Sequence, residues 1–63
     1  MKRSLKGIRV DLGLTQEEMA KAMGMSLVTW NKKERGKSSL SALELIKISQ
    51  ISNVPMADIE VLI

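Results

Sequence analysis

Two helix starts with one glycine between them, all within residues 15–36, constrain this chain more than any other feature. The stretch reads TQEEMAKAMGMSLVTWNKKERG. Thr15-x-x-Glu18 is a capping box. The Thr hydroxyl accepts from the backbone N–H three residues on, and the Glu carboxylate reaches back to the cap's own N–H. Leu14 and Met19 occupy the two positions of a hydrophobic staple, which sets the angle at which the chain enters the helix. Met23 lies four residues beyond Met19, on the same face. Gly24 then supplies a left-handed residue that ends the helix and turns the chain. Ser26 caps the next helix, with Met25 and Trp30 as its staple pair, and Gly36 stops it.

The flanking sequence carries the same punctuation. Ser4 is an N-cap for a first helix running to about Leu12, with Leu5, Ile8 and Leu12 at the spacing of one apolar face and Gly13 as its end. Lys37-Ser38-Ser39 is a polar connector. Ser41-x-x-Glu44 is a second capping box, with Leu40 and Leu45 as its staple, and the helix it opens places Leu45, Ile48 and Ile51 or Ser52 on one face. Asn53 replaces glycine as a left-handed terminator. Pro55 suits the first turn of a fifth helix, where its missing N–H does no harm. Met56, Ile59 and Leu62 or Ile63 would form the apolar stripe of that helix. Five short helices with brief connections predict a compact all-α fold, one domain over residues 1–63.

Composition narrows the chemistry. The chain has no Cys and no His. Disulfides and thiolate metal sites are therefore excluded, and carboxylates alone make a poor structural zinc site. No metal and no other cofactor is expected. A base-activated nucleophile would need Lys or a carboxylate beside Ser or Thr. The prominent Ser and Thr residues already serve as caps, and short helices leave little room for a pocket, so an enzyme is not expected. Lys6, Arg9 and Asp11 interrupt the N-terminus before any apolar run develops, which excludes a signal peptide or membrane span there. Residues 1–37 carry nine basic side chains against four acids, net +5, whereas residues 38–63 carry one against three, net −2. That asymmetry points to one surface for a polyanion and another for something else, although a solvated mixed-charge surface would look the same in sequence.

Two short helices joined by a tight glycine turn form a helix-turn-helix. Here the chain resembles the phage repressor and Cro-like helix-turn-helix regulators, the xenobiotic-response-element type, from about Leu5 to Ile59. The most specific part is LTQEEMAKAMGMS, followed by the helix ending in KKERGKSSLS. Gln16 opens the second helix, Ala20 is the small residue where two helices cross, Gly24 makes the turn, and Met19, Met23, Met25 and Trp30 take the apolar slots. The family fold has five helices, in agreement with the count from caps and periodicity. Lys33 departs from the pattern. It stands where such proteins usually place an apolar residue, and the expectation is that its stem covers the core while its ammonium reaches solvent.

The resemblance implies that the third helix lies in the major groove of DNA with its N-terminal residues at base edges. Here those are Ser26, Leu27, Val28 and, one turn on, Asn31 and Lys32, while Trp30 faces the core. Gln16 resembles the family residue that clamps a phosphate, at a helix N-terminus whose free N–H groups suit an anion. Thr29, Arg35 and Lys37 are further candidates for phosphate contacts, which position the protein without reading sequence. Leu27 and Val28 either pack inside the domain or meet thymine C5-methyl groups, the one apolar feature of the major groove. Lys32 donates to guanine O6 or N7, or to a phosphate. The resemblance also implies a pair between Arg9 in the first helix and Glu34 late in the recognition helix. A bidentate bond there would hold the two helices together if partly buried, and would matter little if solvated.

The expected protein is a cytoplasmic DNA-binding transcription regulator of phage or prokaryotic type, a repressor in its usual form. It would bind double-stranded DNA as a homodimer, with recognition helices about 34 Å apart on a two-fold-symmetric operator. Val61, Leu62 and Ile63 either pack back on the core or supply the dimer contact. Two other classes compete with this one. A basic amphipathic peptide lying on membranes fits poorly with repeated helix caps and balancing acids. A protein-interaction module on the same fold, such as an antitoxin or a modulator of another regulator, is the serious rival because the recognition helix mixes donors with two apolar residues.

Overall fold

A computed structural model describes residues 2–60. Four α-helices follow in order: α1 (Leu5–Asp11), α2 (Gln16–Met23), α3 (Leu27–Glu34) and α4 (Ala42–Ser52). Each begins at the residue whose side chain was expected to cap it. The Ser4, Thr15, Ser26 and Ser41 oxygens accept from backbone N–H groups three residues on, and α2 and α4 both show the full reciprocal capping box. The ends follow backbone stereochemistry. Gly24 between α2 and α3 has φ +72°, and Asn53 after α4 has φ +59°, the left-handed region that glycine enters freely for want of a Cβ and that asparagine tolerates.

The helices enclose one core of Leu5, Ile8, Met19, Ala20, Met23, Trp30, Ile48, Val54 and Ile59. Ala20 of α2 is buried, and α2 and α3 are the pair of helices in most extensive contact. Trp30 is fully buried, so its indole anchors α3 from below while the opposite side of the helix stays in water.

Among the described residues, the expected fifth helix does not form. Pro55 is followed by one 3-10 turn, Met56–Asp58, after which Ile59 is extended with φ −89° and ψ +123°. Ile59 forms an isolated parallel bridge with Arg3. The Arg3 N–H donates to the Asp58 carbonyl at 2.6 Å, and the Glu60 N–H donates to the Arg3 carbonyl at 2.8 Å. The 56/59 spacing that reads as a helical stripe is served otherwise: Ile59 is fully buried from an extended backbone, and Met56 is exposed. A three-residue stretch gains too few hydrogen bonds to repay helix nucleation, whereas pairing with residue 3 satisfies its backbone at once. The Val61–Ile63 dimer contact lies outside the described residues.

Candidate nucleic-acid interface

The outer face of α3 is built by its register. With Trp30 and Lys33 turned inward, residues 28, 31, 32 and 35 fall towards the opposite side of the helix, and residue 27, one turn before Trp30 and Asn31, sits on its flank. Leu27 is 45% exposed and Val28 64%, so neither packs inside the domain. Thr29, Lys32, Arg35 and Lys37 are exposed. Ser26 is exposed too, but its hydroxyl is occupied with capping: it accepts from the Thr29 N–H at 3.2 Å and donates to Thr29 Oγ1 at 2.8 Å. Gln16, Leu27, Asn31 and Arg35 line one open groove between α2 and α3. Ser26, Val28, Thr29, Lys32 and Lys37 are not part of that groove.

Beneath the groove sits the carboxylate of Glu34, whose side chain is only 4% exposed. Arg9 Nε donates to its Oε2 at 2.6 Å, the Trp30 indole N–H donates to the same oxygen, and Gln16 Nε2 donates to Oε1 at 3.2 Å. The Arg9–Glu34 pair is therefore present and buried, but it is not bidentate. The guanidinium divides its fork, with Nη1 donating to the Leu14 carbonyl at 2.8 Å. Arg9 thus ties α1 to the end of α3 and to the loop that enters α2.

Gln16 is half-buried in this network. One of its N–H groups goes to Glu34, and its Oε1 accepts from Asn31 Nδ2 at 3.4 Å. Its second N–H makes no hydrogen bond among the described residues. Lys6, which in the sequence stands out only as charge, joins the lining of the groove. It lies on α1, away from buried Leu5 and Ile8, and lines the groove beside Gln16 and Arg35. Its position opposite the α1 apolar stripe was the available signal.

Lys33 does not send its ammonium to solvent. The residue is buried, and Nζ donates to the Ser39 carbonyl at 2.9 Å and pairs with Glu44 Oε1 at 3.1 Å. The same Glu44 oxygen accepts from the Ser41 N–H at 2.9 Å. Lys33 reaches forward to the cap of α4 because that carboxylate lies close enough to neutralise it, which makes burial cheaper than in an apolar slot. Partial burial pushes the Glu44 carboxyl up, but the Ser41 N–H, the Lys33 ammonium and the Ser41 hydroxyl outweigh it and hold the group below its usual value.

A helix-turn-helix family model matches residues 5–59. The chain belongs to the helix-turn-helix family. It is a DNA-binding domain of the transcription-regulator kind, and α2, the Gly24 turn and α3 are its motif. No curated protein and no solved structure matches it. Among the described residues, no His, Cys, Asp or Glu group is placed to hold a metal ion, and no helix is long and apolar enough to cross a membrane.

Proposed function

We propose that this helix-turn-helix domain is a sequence-specific repressor that reads the major groove of a two-fold-symmetric operator as a dimer. The observation that carries the reading is the composition of the outer α3 face. Val28, Lys32 and Arg35 are exposed, and Leu27 and Asn31 are half-exposed, beside a groove to which Lys6 and Gln16 also contribute. Leu27 and Val28 meet thymine methyls, and Asn31 and Lys32 supply polar readout. Gln16, Lys6, Thr29, Arg35 and Lys37 hold phosphates, with Ser26 at the helix start close to the backbone. A domain of this size makes too few contacts for tight binding alone, and doubling the half-site supplies the rest. Repression by occupying the operator needs no further surface. The site of action is then the DNA-containing compartment of a prokaryotic-type cell, the cytoplasm.

Binding-site selection tests the base contacts. The expected product is a palindrome with T-rich positions near the centre of each half-site, and a selected pool without thymine preference there rejects the role of Leu27 and Val28. Truncation after Glu60, followed by analytical ultracentrifugation, tests residues 61–63; unchanged self-association removes them from the dimer contact.

One observation favours a second reading, docking of a protein partner as an antitoxin or modulator does: the exposed apolar pair Leu27 and Val28. Affinity for nonspecific DNA that falls steeply with salt excludes it, because displaced counterions mark phosphate contacts.

A further inference from the structure

The three side chains Glu34, Gln16 and Asn31 form a line running from the domain interior to the α3 face, and the chemistry of the first sets the direction of the other two. Trp30 Nε1 and Arg9 Nε have only protons to offer, and both are aimed at Glu34 Oε2. A carboxylate paired with a guanidinium accepts at both oxygens, so Gln16 turns its amino group towards Oε1, at 3.2 Å. That leaves the carbonyl oxygen of Gln16 facing Asn31. Asn31 in turn must present its amino group inward, as it does at 3.4 Å. Amide orientation, ordinarily ambiguous between oxygen and nitrogen, is here dictated by a chain of acceptors and donors that begins at a buried carboxylate. Asn31 Oδ1 is the end of the line. It makes no hydrogen bond among the described residues, and no buried side-chain oxygen among them lacks a partner, so Oδ1 is open to solvent at the groove.

We infer that Glu34, acting through Gln16, holds the Asn31 amide with its carbonyl oxygen towards the DNA, so that Asn31 reads an exocyclic amine, adenine N6 or cytosine N4, at one fixed position of the half-site. The inference rests on the DNA-binding reading above and adds a residue-level rule to it. Glu34 and Gln16 are positioning residues; Asn31 makes the contact. An outward acceptor discriminates against guanine O6 and thymine O4, which are themselves acceptors, at the place it reaches. Without Gln16, the Asn31 amide is free to turn over and offer its amino group, and the discrimination is lost although Asn31 remains. Gln16 keeps its second N–H for a phosphate, so the two roles coexist on one side chain.

Binding-site selection on four proteins tests this: the unaltered chain, Asn31→Ala, Gln16→Met, and the double variant, each first shown by circular dichroism to melt cooperatively. The expected result is an adenine or cytosine preference of at least fivefold at one position in the unaltered chain, lost in Asn31→Ala. Gln16→Met reduces that preference by more than half while leaving the thymine positions intact, and the double variant matches Asn31→Ala. Loss of a phosphate contact alone would weaken all sequences about equally, so a change confined to one position separates positioning from simple affinity. Full preference in Gln16→Met, or guanine or thymine at the Asn31-dependent position, overturns the inference and leaves the DNA-binding reading standing. An Asn31→Ala variant with an unaltered profile does the same. No sequence preference in the unaltered chain overturns both.

Discussion

Adjacent residues of α3 carry opposite charges into the protein, and they are handled differently. Glu34 reaches back to Arg9 of α1, and Lys33 reaches forward to Glu44 of α4. The Glu34 carboxylate is 4% exposed and collects donors from Arg9, Trp30 and Gln16, which belong to three helices. Glu44 is 26% exposed, and its own helix cap already satisfies it before Lys33 arrives. One pair is a hub that several elements depend on, and the other is a brace added to a cap that would form without it. The contrast shows that burial of a charge pair says little about its importance. What matters is how many groups lose their only partner when it breaks.

Removal of either partner of the hub is expected to have the largest effect. Glu34→Gln and Arg9→Met should each destabilise by about 3–5 kcal/mol, the range for breaking a buried pair. For a domain of this size, that is a fall of more than about 10 °C in thermal midpoint. A change of a degree or less in both melts would place the pair with solvated surface charges and erase the contrast. Glu34→Gln is the more damaging of the two, because the Trp30 N–H, the Gln16 amide and the Arg9 guanidinium all lose a carboxylate acceptor.

The brace is expected to respond asymmetrically. Glu44→Ala removes the capping box and leaves the buried Lys33 ammonium with only the Ser39 carbonyl, at a cost of about 2 kcal/mol. Lys33→Met fills the same slot with an apolar chain and leaves Glu44 bonded to the Ser41 N–H, so the change should stay within about 1 kcal/mol. Urea titrations of both variants measure the two costs directly. Equal losses would mean that Lys33 and Glu44 form a hub of their own.

Protonation probes the same brace without mutation. The Glu44 carboxyl lies below its usual value of 4.5 in the folded protein, so between the folded and unfolded values the unfolded chain binds more protons. The stabilisation is complete above the unfolded value and is lost as pH falls through the folded one. Thermal midpoints measured from pH 6 downward should therefore drop on acidification. The drop should be shallower in Glu44→Gln, and parallel curves for the two proteins would remove Glu44 as a cause.

The two pairs also differ in how far they could be read from the sequence. Caps were legible because Ser4, Thr15, Ser26 and Ser41 each bond a backbone group three residues away, a distance that spacing alone encodes. Arg9 and Glu34 are 25 residues apart, and they came into view only through resemblance to a family, which could not foretell the divided fork or the bond from Gln16. Lys33 and Glu44 were each assigned a complete local role, a snorkelling stem and a capping carboxylate. Nothing in the local pattern joined them, because α3 and α4 meet only after the chain has folded. The fifth helix failed for a related reason. Met56 and Ile59 carry a spacing compatible with a helix, but a partner at Arg3, far away in sequence, offers Ile59 an extended backbone and full burial.

The smallest expected effect on stability falls on the face that neither pair reaches. Leu27→Ala and Val28→Ala remove apolar groups that are already about half exposed or more, so each should leave the thermal midpoint within the change expected for about 0.5 kcal/mol. The same variants should lower affinity for the selected operator and flatten its thymine preference. Apolar residues that contribute little to folding yet change binding would be held at the surface by what they contact, while Glu34, one turn or two away, is held by what it supports. If Leu27→Ala instead destabilises as much as Glu44→Ala, then Leu27 belongs to the packing of the groove beside Gln16 and Asn31. The boundary between scaffold and reading face would then run through α3 one residue later, leaving Val28 as the first side chain free to meet a base.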